Sequence, residues 1–420
     1  MTAFRLLRTQ PIHLITVALV GTLVGWAFPQ DLSFWRSMAI VTGWIGSGLL
    51  LASLLLMIRE PWLAARLGGL EPMYLWHHRL GIGAYLFLLL HPLALAADAW
   101  QESAAQAWSA LDPWQQSWPV WLGWGSLVGM MAGLMLSLSP RLAYASWRKL
   151  HHVLTLSVLL GGAHLVLLGL EAPLILAPLL ALFFLLWRLL RADCGLAAQP
   201  YVVNQVTRQT QDLVEVSLRP LARSITAQPG QFVVVAFFRG PGFQGCGEYH
   251  PYTLSAIAPD GHVSLGIKAL GDCTRHIQAV APGTAVRLQG PFGEFMCASV
   301  DGPSLWLAGG IGITPFLARL RSGPLTQAVR LMYLYRNQAD AAYRYELGEL
   351  ASHQPQLSLQ LVASDKGLPD LPALLPSTED LKHCHCYLCG PAGLINAAVA
   401  VLRQRGVPTP HIHFERFDFR

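Results

Sequence analysis

Two pairs of histidines in apolar surroundings are the residues of this chain best placed to do chemistry. His78 and His91 lie in LWHHRLGIGAYLFLLLHPLAL, and His151 and His164 in WRKLHHVLTLSVLLGGAHLVLLG. Both stretches are long and apolar enough to lie inside a membrane, where an imidazole is costly unless it has a task. Each pair is separated by 13 residues, about 20 Å along a helix axis. Two such helices side by side could hold two b-type haems, one above the other, each iron taking one ligand from either helix. Six-coordinate bis-histidine iron suits electron transfer. A single intramembrane histidine reads equally well as a proton relay or a hydrogen-bonded core residue; four in two equally spaced pairs favour ligation. One choice stays open: 13 steps turn the second ring roughly 220° from the first, and 14 steps about 40°. His77 is therefore a live alternative to His78 as the partner of His91. The other helix offers only 13 (His151) or 12 (His152) steps to His164, so a π-bulge or a bend would have to repair its register.

The elements that must position these rings are membrane spans. Hydrophobic residues make up 53% of the 420-residue chain and charged residues 13%, and the apolar excess is confined to roughly the first 190 residues. Six spans are expected: 12–28, 36–58, 75–97, 118–138, 147–169 and 172–190. Arg5, Arg8, Arg59, Arg66, Arg141, Arg148, Lys149, Arg188 and Arg191 fall in alternate connections. The opposite loops carry Asp98, Glu102, Asp112 and Glu171, with Arg36 the exception. The positive-inside rule then makes this a multi-pass protein of the inner (cytoplasmic) membrane with both termini cytoplasmic. The net charge of +5 is mostly this topology signal and carries no nucleic-acid inference. All seven cysteines (194, 246, 273, 297, 384, 386, 389) follow the last span, on the side expected to be reducing, so no disulfide framework is expected.

From about residue 197 the pattern changes to short alternating strands such as GQFVVVAF and AVRLQG. From about 303 it becomes strand, glycine loop and helix, as in SLWLAGGIGITPFLARL. The expected fold is a six-helix transmembrane bundle (1–192), a β-barrel domain (193–300) and an α/β nucleotide-binding domain (301–420). GGIGITP follows an apolar strand and opens a helix, which makes it a credible dinucleotide loop. In IKALGDCT, Lys268 and the turn from Gly271 to Thr274 suit a pyrophosphate. HCHCYLC (His383–Cys389) offers five metal-binding side chains in seven residues. It also alternates like a strand, and one extended segment makes an awkward tetrahedral site.

HPYTLSA, IKALGDCT, GPFGEF, GGIGITP, LCGPAG and the terminal HFERFDFR occur in this order, and together they resemble the ferredoxin-reductase-like dehydrogenase module. Behind six spans with paired histidines, the chain resembles the ferric reductase and NADPH oxidase superfamily. The resemblance implies that His250, Pro251, Tyr252 and Thr253 meet the flavin of an FAD. It implies a dinucleotide seat at Gly309, Gly310, Gly312, Thr314, Pro315, Gly390 and Pro391. Arg336 takes the position that meets an adenosine 2′-phosphate, so NADPH is preferred and NADH is the alternative. Cys389 falls beside the nicotinamide C4, and Phe417 would stack on the flavin ring.

The implied cofactors are FAD and two haems b, and the implied activity is electron transfer from NADPH to an extracytoplasmic acceptor. Oxidases of the superfamily carry a further histidine about one turn beyond the outer ligand, where this chain has Leu95. That departure favours ferric iron or a ferric chelate over oxygen. A third reading is an electron-donating subunit for a periplasmic protein, docked on the loop 98–117 with Trp100, Trp108 and Trp114; an interfacial aromatic belt explains the same residues.

Overall fold

Large apolar side chains point outward along the helices of the N-terminal half, among them Leu86, Val128 and Leu156, each more than half exposed. The computed structural model describes residues 28–139, 144–169, 175–297, 302–364, 367–381 and 383–416. The chain divides into two compact units, one of residues 1–59 and 71–189, the other of 60–70 and 190–420.

The first unit holds α1 (Phe34–Leu55), most of α3 (Leu70–Trp100), α4 (Ala104–Leu111), α5 (Trp118–Ser137), α6 (Tyr144–Leu167) and α7 (Leu176–Trp187). Among the described residues, α1, α3, α5 and α6 are long and apolar enough to cross a membrane. The expected span 12–28 lies almost wholly outside the described residues. The expected span 172–190 begins outside the described residues; its described part is the 12-residue α7 running into a π-helical stretch, Arg188–Asp193. The interior is lined with small residues: a Cβ at Gly46 would strike Leu88, and one at Gly133 would strike Leu154. Ser126 donates to the Ser157 carbonyl at 2.7 Å. Lipid-facing helices associate by such close backbone approach, because burying apolar surface gives no advantage where the solvent is itself apolar.

The second unit begins with the short α2 (Pro61–Arg66), ahead of which the buried Glu60 pairs with Arg191 at 2.5 Å. Then come β1 (Gln199–Thr210), β2 (Leu213–Pro220), β3 (Phe232–Phe237), β4 (His250–Ile257), β5 (Val263–Lys268), α8 (Asp272–Ile277) and β6 (Ala285–Phe292). The strands close an antiparallel barrel in the order β1-β2-β5-β4-β3-β6. Alternate side chains fill it, including Tyr201, Phe237, Leu254, Leu265 and Leu288. Closure leaves no unpaired strand edge.

The nucleotide-binding domain contains β7 (Ser304–Gly309), α9 (Thr314–Arg321), β8 (Val329–Tyr335), α10 (Arg344–His353), β9 (Leu357–Ala363), β10 (His385–Gly390), α11 (Ala392–Gln404) and β11 (Ile412–Arg416). Its five strands are parallel in the order β11-β10-β7-β8-β9. Near-continuous apolar runs such as VRLMYLY suit a sheet covered on both faces. Phe316, Leu317 and Leu347 cover one face and Ile395, Ala398 and Leu402 the other. The winding reverses between β7 and β10, the crevice where open α/β sheets bind ligands.

Candidate functional site

In the first unit, helix α3 carries His77 and His91, and α6 carries His151 and His164. Each of the four rings is held through Nδ1 by a neighbouring helix. The His91 ring contacts the Ala39 carbonyl of α1 at 2.8 Å, and His164 the Pro119 carbonyl of α5 at 2.8 Å. His77 meets the Ser53 hydroxyl at 2.8 Å and the Ser53 carbonyl at 3.1 Å; His151 meets the Ser137 hydroxyl at 3.0 Å. A carbonyl can only accept, so Nδ1 of His77, His91 and His164 donates and Nε2 is left as the coordinating atom, while the Ser137 hydroxyl orients the His151 ring.

Glycines make room for the rings. A Cβ at Gly43 would sit 3.2 Å from the His91 ring, and one at Gly123 3.0 Å from His164. The same device thus occurs twice: Ala39 with Gly43, and Pro119 with Gly123, a carbonyl contact followed four residues later by a clearing.

His77 and His151 face each other with ring centroids 6.2 Å apart. Two imidazoles sharing one metal through bonds of about 2 Å have centroids roughly 6 Å apart, so this pair fits a bis-histidine iron. His78 is exposed, as is His152. Helix α6 is α-helical throughout, so a π-bulge, one of the two expected repairs of its 13-residue spacing, is not used, and the rings reach different stretches of α5.

In the second unit, β4 presents HPYTLS at the barrel wall. The Tyr252 ring lies with the barrel core, near Phe237 at 6.5 Å, and not on an open face. Its hydroxyl is buried without a hydrogen-bond partner among the described residues, and burial holds its pKa well above the usual value. A buried orphan of this kind on the expected flavin strand fits a group that brings its own polar atoms. Thr253 is buried opposite Phe232 on β3, and His250 lies 3.5 Å from the Glu248 carboxylate. Proline at 251 pairs with Val234.

The expected pyrophosphate turn is more committed to itself than its sequence suggests. Thr274 Oγ1 accepts the N–H groups of Leu270 and Gly271 at 2.9 and 2.8 Å, so this hydroxyl braces the turn. Lys268 pairs with Asp212 at 3.4 Å. Burial opposes the charge on Asp212, but the Thr210 hydroxyl and Lys268 outweigh it and hold its pKa below the usual range.

At the β7–β10 crevice two glycine turns pack backbone to backbone. A Cβ at Gly312 would collide with the Cys389 carbonyl, and Gly390 (φ +154°) lies against Gly309. Gly310 has φ +54° and open space where a Cβ would be, so its backbone can be approached closely by a ligand. Thr314 and Pro315 are buried at the start of α9; the Thr314 hydroxyl donates to the Ile311 carbonyl at 3.0 Å and is less free than expected. Pro391 caps α11. Cys389 is fully buried, and burial, with the Glu415 charge added, pushes its thiol well above the usual value. Glu415 is its register partner on β11, a residue that sequence reasoning passed over because nothing marks it apart from its neighbours.

Arg336 follows β8 and is exposed. Nearby, Gln209, Gln338, Tyr343, Arg344 and Tyr345 line a cavity of about 310 Å³. Arg321 on α9 bridges Glu215 of the barrel at 2.7 Å and Glu346 of α10 at 2.6 Å, and Ser255 donates to Glu215 at 2.5 Å. Burial opposes the Arg321 charge, but the two carboxylates hold its pKa above the usual value. Phe417 lies outside the described residues. Cys384 and Cys386 are buried, and no group of three metal-binding side chains is gathered there or elsewhere among the described residues.

One expectation is corrected. Cys246 and Cys273 are bonded as a disulfide; the loop before β4 folds over α8 and brings together two cysteines that lie 27 residues apart.

Three known domain families match in order. Residues 42–162 match a ferric reductase like transmembrane component, 200–303 an FAD-binding domain, and 306–400 an oxidoreductase NAD-binding domain. The chain thus joins a segment that matches a ferric-reductase-like transmembrane component to segments that match FAD-binding and oxidoreductase NAD-binding domains, an arrangement similar to that of the ferric reductase and NADPH oxidase superfamily. It is 30% identical over 226 residues to an NADPH oxidoreductase of Mycobacterium tuberculosis, covering 50% of this chain and 58% of the relative. It is 28% identical over 206 residues to a flavohemoprotein of Pseudomonas putida, covering 46% and 52%. The chain thus spans about half the length of these relatives. Among solved structures, the flavohem-like FAD/NAD-binding domain of a nitric oxide dioxygenase from Vibrio cholerae aligns with 53% of this chain and 99% of its own. The identity there is 22% and the TM-score 0.45.

Proposed function

We propose that the chain carries electrons from NADPH, through FAD and two haems b, across the cytoplasmic membrane to ferric iron or a ferric chelate outside. The observation that carries this reading is the set of four imidazoles, each oriented through Nδ1, with His77 and His151 at bis-histidine spacing. His77 and His151 would hold the inner haem, and His91 and His164 the outer one; exposed His78 gives way to its neighbour. When bound, FAD supplies the conversion from a two-electron hydride donor to one-electron haem carriers.

The chain's own residues orient and insulate. His250, Pro251, Tyr252 and Thr253 border the flavin, while Lys268 and the turn Gly271–Thr274 face its pyrophosphate. Gly309, Gly310 and Gly312, with Thr314, Pro315, Gly390 and Pro391, seat the dinucleotide at the crevice. Cys389, kept as a neutral thiol by burial, shapes the nicotinamide seat without offering a thiolate. Glu415, its register partner on β11, borders the same seat. Arg336 favours the 2′-phosphate of NADPH, since a guanidinium pairs well with phosphate. Phe417 would cover the flavin ring until nicotinamide takes its place. Both termini and the dehydrogenase module would lie in the cytoplasm, a reading that the basic connections support.

Leu95 in place of a further outer histidine supports metal reduction over oxygen reduction. The test is NADPH oxidation by detergent-purified, FAD-supplemented protein with ferric citrate or oxygen as sole acceptor. Turnover with ferric citrate and little in air is expected. Fast turnover in air with superoxide release would make the protein an oxidase. Haem reduction without turnover on either acceptor would make it a donor to a periplasmic protein.

A further inference from the structure

The bond between Cys246 and Cys273 ties together the two segments that flank the flavin-binding strands. Cys246 lies in the loop between β3 and β4, and Cys273 in the first turn of α8, inside IKALGDCT. Their Cα atoms are 5.7 Å apart. The same loop and helix meet again where Phe243 stacks on His276, centroids 4.9 Å apart. Between the two cysteines run β4, with His250–Thr253, and β5, with Lys268. Both cysteines pack on the rim of the barrel core and both are half-buried, within reach of solvent. Gly245 (φ +77°) and Gly247 (φ +62°) flank Cys246, so the loop around it is built from residues that can readjust.

We propose that Cys246 and Cys273 are a reversible redox-modification site whose disulfide form fastens the flavin-binding edge of the barrel. The inference rests on the flavin reading of β4 and β5 and on the cytoplasmic placement of this module, where protein disulfides are usually transient and redox-sensing. The reactant is a low-molecular-weight disulfide such as oxidised glutathione. One cysteine thiolate attacks it, forming a mixed disulfide and releasing one small thiol. The second thiolate attacks the mixed disulfide, closing the protein S–S bond and releasing the second small thiol. Two protein thiols are oxidised, one external disulfide is reduced, and the two protons leave on the released thiols. Breaking the bond frees the loop from α8 and loosens the turn that Thr274 braces.

The test compares the full-length purified protein equilibrated with oxidised glutathione or with dithiothreitol. Peptide mapping after differential alkylation reads the bond, and flavin fluorescence reads FAD release. In the oxidised state we expect a 246–273 cross-link and FAD release slower by about fivefold or more. Cys246→Ser and Cys273→Ser should each release FAD at the reduced rate under both conditions, while Cys194→Ser keeps the response. Free, alkylatable Cys246 and Cys273 under oxidising conditions would overturn the site. So would identical FAD release from verified oxidised and reduced protein. If the cross-link forms but FAD binds in neither state, the flavin reading itself fails.

Discussion

At the scale of single residues, the choice between His77 and His78 decides where the inner metal sits. His77 is oriented by Ser53 and faces His151, so His77→Ala should lower haem content from about two to one per chain, and His78→Ala should leave it unchanged. Pyridine haemochrome assay on the purified variants reads the difference. Gly123 carries a sharper prediction, because it touches no cofactor through a side chain of its own. A Cβ there would press on His164 at 3.0 Å, and Gly123→Val should remove the outer haem alone. Retention of two haems would show that the ring has another place to go. Cys389→Ala should slow flavin reduction by NADPH by on the order of 10–100-fold, as expected where a group positions a reacting carbon, while haem content stays intact. Stopped-flow absorbance at the flavin band measures it. The histidines were legible in the sequence because polar rings are conspicuous among apolar residues. Their supports were not: two are backbone carbonyls, at Ala39 and Pro119, which no residue type announces.

At the scale of elements, the register of β10 and β11 stacks a ladder of side chains along one sheet face. His385 lies against His411 with centroids 4.3 Å apart, and His413 lies on Tyr387 at 4.6 Å. Burial, followed by neighbouring histidines, lowers His385 and His413 from the ordinary value of 6.5. Below that value the unfolded chain takes up protons that the folded strands resist. Their contribution to stability is therefore full above pH 6.5 and is lost as pH falls towards the lowered values. Thermal unfolding of the nucleotide-binding domain should move to lower temperature over that window, and His413→Gln should flatten the trend. An unchanged pH profile in that variant would locate the effect elsewhere. The strand and helix pattern of this half was readable from its alternation and its glycine loops. The strand order within the barrel and the β10–β11 ladder were not, because both depend on pairings between segments far apart in sequence. The Cys246–Cys273 bond was missed for the same reason, and compartment reasoning alone pointed away from it.

At the scale of the whole molecule, composition alone separated an apolar half from a less apolar one, and the ordered motifs carried the resemblance that the domain matches then supported. Four of the six expected spans are matched by long apolar helices among the described residues; the first expected span lies almost wholly outside those residues, and the described part of the last is α7 with its π-helical continuation. In the proposed function, electrons cross the membrane through this one chain. This is tested most directly in sealed liposomes that contain the purified protein and FAD, with a ferric chelate trapped inside and NADPH added outside. The trapped iron should be reduced in step with NADPH oxidation, and His91→Ala or His164→Ala should abolish this while flavin reduction persists. NADPH oxidation with the trapped iron left ferric, or trapped iron reduced equally well by the two variants, would contradict this reading.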